Sequence, residues 1–102
     1  MRIEKGVCEE SYRVFDDRNE VVLGVTYTSA VPQIGTILHR SLEYVELRVP
    51  DADKISFCLI DGKPGLTDKA MLRRVEQLDD RVQTAIGELP EYVRKAIMAV
   101  RA

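Results

Sequence analysis

Apolar residues recur through the last third of the chain at intervals of four and three: Met71, Val75, Leu78, Val82, Ala85 and Leu89. This is the spacing of an apolar stripe along an α-helix, and it predicts one long helix from Leu66 to Leu89. Leu72 and Ile86 widen the stripe, while Arg73, Glu76, Asp80 and Arg81 fall outside it. Thr67 is placed to cap the first turn, Asp68 to meet the positive end of the helix dipole, and Leu66 to staple onto Met71. Gly87 offers a left-handed stop. Pro90 then opens a second helix with Val93, Ala96, Ile97 and Val100 on its apolar face. A connection this short turns the two helices into an antiparallel hairpin over 66–101.

Upstream, the period shortens to two. Val21, Leu23, Val25 and Tyr27 alternate with a more mixed set, and Ser11 to Phe15 favours strand across the turn-rich Asp16-Asp17-Arg18-Asn19-Glu20. A second hairpin is clearer still: Val45, Leu47 and Val49 are answered by Ile55, Phe57 and Leu59 around Pro50-Asp51-Ala52-Asp53. Its register puts Ser56, Cys58 and Ile60 on the face opposite Phe57. Between the hairpins, Ile34, Leu38 and Leu42 fit helical spacing, so a short helix is expected within Ala30 to Leu42; the competing arrangement is a five-stranded barrel-like sheet. Met1 to Glu10 reads as a loose arm or a short edge strand around Ile3, and Asp61 to Gly65 as a loop. The expected fold is therefore α+β in a single domain, 1–102. Two β-hairpins occupy a mainly β portion, 1–61, and the antiparallel helical hairpin follows.

Composition narrows the function without naming it. A chain of 102 residues has room for one core, and with no Trp and two Phe that core must be mainly aliphatic. The net charge of −2, with no basic arm in either half, disfavours nucleic acid as the main partner. Two cysteines, Cys8 and Cys58, make neither a disulfide scaffold nor a zinc pattern and read as reduced thiols. Residues 1–6 lack the apolar run of a signal peptide and no stretch approaches membrane-spanning length, so the cytoplasm is the expected location.

Candidate chemistry is thin. The Gly62-Lys63-Pro64-Gly65 stretch precedes a helix but lacks the phosphate-loop pattern. Cys8, Cys58 and His39 are the components of a thiol nucleophile and base, yet no orienting third group is legible beside them. Asp16-Asp17, Asp51 with Asp53, and Asp79-Asp80 all fall where turns or solvated helix faces are expected, and the Asp51 pair lacks the remaining ligands of a calcium loop. Leu78 to Val93, with its Leu-Pro-Glu helix opening, resembles the start of the DNA-binding region of bacterial sigma factors, but no recognition helix follows before Ala102.

What remains is surface. The expected role is a non-catalytic protein-interaction module, an adaptor, regulator or inhibitor, needing no cofactor or metal. Met71, Val75, Leu78 and Val82, flanked by Arg73, Arg74 and Arg81, are the candidate contact residues and a candidate homodimer seam. The same stripe also suits packing on the chain's own sheet. Two alternatives stand beside this role. One is a dimeric DNA-associated regulator reading DNA through Arg73, Arg74 or the Arg94-Lys95 pair; the other is a small ligand-sensing or thiol enzyme domain built on Cys58 and His39.

Overall fold

In a computed structural model of the chain, six antiparallel strands among the described residues pair in sequential order: β1 (Arg2–Lys5), β2 (Glu10–Phe15), β3 (Val21–Ala30), β4 (Leu42–Arg48), β5 (Ile55–Ile60) and β6 (Lys63–Pro64). Among the same residues three helices follow, α1 (Lys69–Glu76), α2 (Asp80–Gly87) and α3 (Glu91–Arg101). The structure describes residues 1–6, 10–30, 41–50, 52, 54–65 and 69–101, with backbone alone at 69–72 and 101. The fold is mixed α+β, with strands dominating and short helices.

Both expected hairpins are present, as β2–β3 and β4–β5. The N-terminal stretch forms the edge strand β1, with Ile3 opposite Val14. Ala30 pairs with Leu42, so β3 and β4 make a further antiparallel pair, and the two ends of the expected short helix are strand. The rest of that expectation, on residues 31–40, lies outside the described residues, as do the Thr67 cap and the Leu66 staple. The sheet is an open meander with β1 and β6 at its edges, not barrel-like.

The expected loop at Asp61 to Gly65 contains a tight hairpin instead. Ile60 pairs with Lys63 across Asp61 and Gly62, whose φ angles are 52° and 78°. A two-residue turn with positive φ at both positions matches the twist of the flanking strands, and Asp-Gly is among the pairs that adopt it at low cost.

The long helix is the main correction. It is broken at Gln77, Leu78 and Asp79 into α1 and α2. Asp79 sits in extended backbone (φ −65°, ψ 166°) and its carboxylate accepts the Val82 N–H at 2.9 Å. A carboxylate that caps a new helix competes with continuing the old one, and Asp80 adds an anion to the first turn of α2. The heptad stripe survives because both pieces turn it the same way, with Val75 and Val82 buried and Leu78 half-buried between them. The expected helical hairpin is matched only in part, since α3 packs on the first of the two pieces and not chiefly on the second. The chief neighbours of α3 are α1, β4 and β6, while α2 lies on β3. Gly87 also departs from expectation. It is the last residue of α2 and has no positive φ, and the helix closes with Glu88 N–H donating to Ala85 O and Leu89 N–H to Ile86 O.

One apolar layer joins these pieces. Tyr12, Val14, Leu23, Val25, Tyr27, Val45, Leu47, Ile55, Phe57 and Leu59 alternate onto one side of the sheet. Val75, Val82, Ala85, Ile86, Val93, Ala96, Ile97 and Val100 meet them from the helices. Among the described residues the helices therefore all lie on one face and leave the other uncovered.

Urea unfolding tests this local account. Asp79→Ala is expected to cost about 1 kcal/mol through loss of the cap, and Gly62→Ala about 1–2 kcal/mol through its left-handed backbone. Gly87→Ala is expected to stabilise by about 0.5–1 kcal/mol, since a Cβ there meets nothing within 4 Å.

Candidate binding surface

The seam proposed from sequence is absorbed by the core. Val75 has no exposed surface and Val82 is 3% exposed, both against the chain's own sheet and helices. Leu78 packs on the edge of that core, and the Met71 side chain lies outside the described residues. Of the basic residues, Arg73 is exposed, Arg74 is half-buried, and Arg81 is tied to Asp16 in the β2–β3 turn. Arg81 thus anchors α2 to a turn. Asp16 holds that turn together by accepting the Glu20 and Arg18 N–H groups at 3.0 and 2.9 Å, and these bonds, with Arg81 nearby, keep its carboxyl below the usual carboxylate range. Arg94 and Lys95 are exposed on α3, where Lys95 pairs with Glu91 at 3.4 Å.

The uncovered face of the sheet is a different kind of surface. Registry sets Arg13, Gly24 and Arg48 side by side across β2, β3 and β4, with Ser11, Thr26, Glu46 and Ser56 as the next row. These side chains point away from the core because their neighbours along each strand are the buried ones. Gly24, in the interior of a ten-residue strand, has no side chain to fill its place. The result is a depression of about 790 Å³ over Gly24, walled by Arg13, Arg48, Lys54, Ser11 and Thr26.

Its charge is organised. Glu46 accepts from Arg48 Nε at 2.7 Å and lies 3.6 Å from Lys54 Nζ, and its carboxyl is held below the usual range, first by the Arg48 hydrogen bond. One carboxylate therefore serves two cations. Arg13 makes no ion pair among the described residues; its guanidinium lies 5.8 Å from the centroid of the Phe15 ring, with Arg2 at 4.4 Å from the same ring. Sequence reasoning found the alternation that separates the two faces but not which face the helices cover. Gly24 in mid-strand was the signal for the depression.

The helix-covered side carries a phenol cluster. The Tyr12 and Tyr92 hydroxyls hydrogen-bond, Tyr27 packs edge-on to Tyr92 with ring centroids 5.2 Å apart, and the Tyr27 hydroxyl donates to Glu43 at 2.6 Å. Burial, reinforced by the Glu43 charge, pushes the Tyr27 phenol up to about 12, and burial raises Tyr92 further. Both groups stay neutral and act as packing with a polar tip. Cys58 is half-buried on the uncovered side of β5, its thiol directed to the Leu59 carbonyl at 3.7 Å; Cys8 and His39 lie outside the described residues. Among the described residues no three His, Cys, Asp or Glu side chains are grouped as a metal site, and no helix is long and apolar enough to cross a membrane.

Comparison with protein families, with curated proteins and with solved structures finds no match.

Alkaline unfolding tests the Tyr27–Glu43 contact. Below about pH 10 the phenol is neutral in folded and unfolded chains alike; from there to about 12 only the unfolded chain ionises it. Its contribution to stability is present at neutral pH and lost as pH rises through that window. Followed by circular dichroism and tyrosinate absorbance, wild type is expected to lose stability across it, with a smaller slope in Tyr27→Phe.

Proposed function

We propose that this chain is a non-catalytic protein-binding module, an adaptor, regulator or inhibitor, and that it holds its partner on the uncovered face of the sheet. The observation that carries this reading is the one-sided use of apolar surface. The helical stripe, with Val75 and Val82, is spent on the internal core, while the opposite face retains a concave, charged depression over Gly24. A surface with a recess and a mixed polar rim gives a partner both a shape to enter and charges that fix register. The perturbed titratable groups favour binding over catalysis, because each is engaged in holding the fold. Asp16 stabilises a turn, Glu46 bridges two cations on the sheet, and Tyr27 is bonded to Glu43.

The test separates the two surfaces. Full-length wild type, Gly24→Val and the double variant Arg73→Glu/Arg94→Glu are used to capture partners from a lysate of the native host, with folding checked by circular dichroism. A Cβ at Gly24 would lie 3.6 Å from the Arg48 Cβ, an ordinary contact, so Gly24→Val is expected to fold with unchanged or raised stability while filling the recess. Proteins bound by wild type and by the helix-surface variant but lost from Gly24→Val bear out the reading. Capture that survives Gly24→Val and fails in the helix-surface variant moves the interface to the helices and overturns it.

A further inference from the structure

We propose that the Gly24 depression receives an acidic side chain, Asp or Glu, from an extended segment of the partner protein, clasped between Arg13 and Arg48. This inference rests on the reading of the sheet face as the binding surface and adds the chemistry of what binds there.

Geometry supplies the clasp. Arg13 and Arg48 flank Gly24 on the two neighbouring strands, so their Cα atoms are two strand spacings apart, roughly 10 Å. Each side chain is long enough to lean over the glycine between them. A carboxylate entering there meets two guanidinium groups whose planar N–H donors match its two oxygens. Ser11 and Thr26, in the adjacent row, place hydroxyls beside the same recess. The volume of about 790 Å³ suits a side chain and its neighbouring backbone.

Electrostatics supplies the sign. Arg48 and Lys54 share Glu46, and Glu4, which stands opposite Arg13 on β1, is paired with Arg2, so that among the described residues the cations around the recess outnumber the carboxylates on a chain whose net charge is −2. Arg48 keeps 72% of its side-chain surface exposed and is available to an incoming anion. The same observations favour a peptide over a nucleic acid. A run of phosphates needs a continuous basic track, whereas here Glu46 interrupts the cations within the patch and the overall charge repels a polyanion. One localised carboxylate takes the attraction without that repulsion.

The decisive experiment is a random heptapeptide display selected on the full-length wild-type chain and counter-selected on Gly24→Val. Binding of the recovered peptides is then measured to wild type, Arg13→Gln, Arg48→Gln and Arg48→Lys. A dodecameric oligothymidylate is measured in parallel at the same salt. The expected result is enrichment of peptides with a recurrent Asp or Glu. Their affinity falls about tenfold or more in either Gln variant, the factor one charge-assisted hydrogen bond supplies. It recovers in part in Arg48→Lys and weakens as salt is raised. Gly24-dependent peptides without an acidic residue would overturn the acidic clasp while leaving the sheet face as the binding surface. Recovery of no Gly24-dependent peptide would overturn that reading itself. Tighter, Gly24-dependent binding of the oligothymidylate would overturn the peptide in favour of a nucleic acid.

Discussion

The structure depends on one apolar contact layer: the side of the sheet bearing Leu23, Leu47 and Leu59 against the helix faces bearing Val75, Val93 and Ile97, all withdrawn from water. Side chains of this size contribute about 1.5–3 kcal/mol each when fully buried, and here they come from every part of the chain. A strand places every second residue on one side, and a helix every third or fourth. Matching those periods across a single interface fixes the strand register and the side on which the helices settle. The break between α1 and α2 belongs to the same constraint. A bend at Gln77 to Asp79 lets α1 reach β5 and α2 reach β3 while the apolar stripe stays turned toward the sheet.

What this layer uses determines what is left over. The stripe that invites a partner when the sequence is read alone is answered within the chain. Among the described residues the opposite side of the sheet has no such cover, and it is there that polar rows, a mid-strand glycine and an excess of guanidinium over carboxylate coincide. The molecule is divided by the pleat of its strands into a side that builds the fold and a side that, among the described residues, stays open to solvent.

The layout of the β portion was legible because its evidence is local. Val45, Leu47 and Val49 facing Ile55, Phe57 and Leu59 admit one sensible pairing, and a slip by one residue would expose every one of them. The helical region was legible in its pattern and misleading in its continuity. Periodicity reports which residues face the core and is blind to a helix that stops and restarts in phase. The sign of the break lay in Asp79-Asp80 preceding Val82, where a carboxylate can satisfy a backbone N–H that a continuing helix would have used. Asp61-Gly62 likewise carries the signal of a two-residue turn inside a stretch whose composition reads as a loop. The candidate site was the least legible part. It depends on Arg13, Gly24 and Arg48 becoming neighbours through three strands, and on α1, α2 and α3 choosing the other face; neither fact has a signature at any single position.

Thiol labelling of Val82→Cys, in a background where Cys8 and Cys58 are serine, addresses the central claim that the helical stripe is internal core. Labelling is followed from nanomolar to high micromolar protein. If Val82 is sealed within its own chain, the thiol reacts at a rate set by unfolding and the same at every concentration. Fast labelling in dilute solution that slows as the protein is concentrated would mean that a second molecule covers the stripe, and would contradict the account.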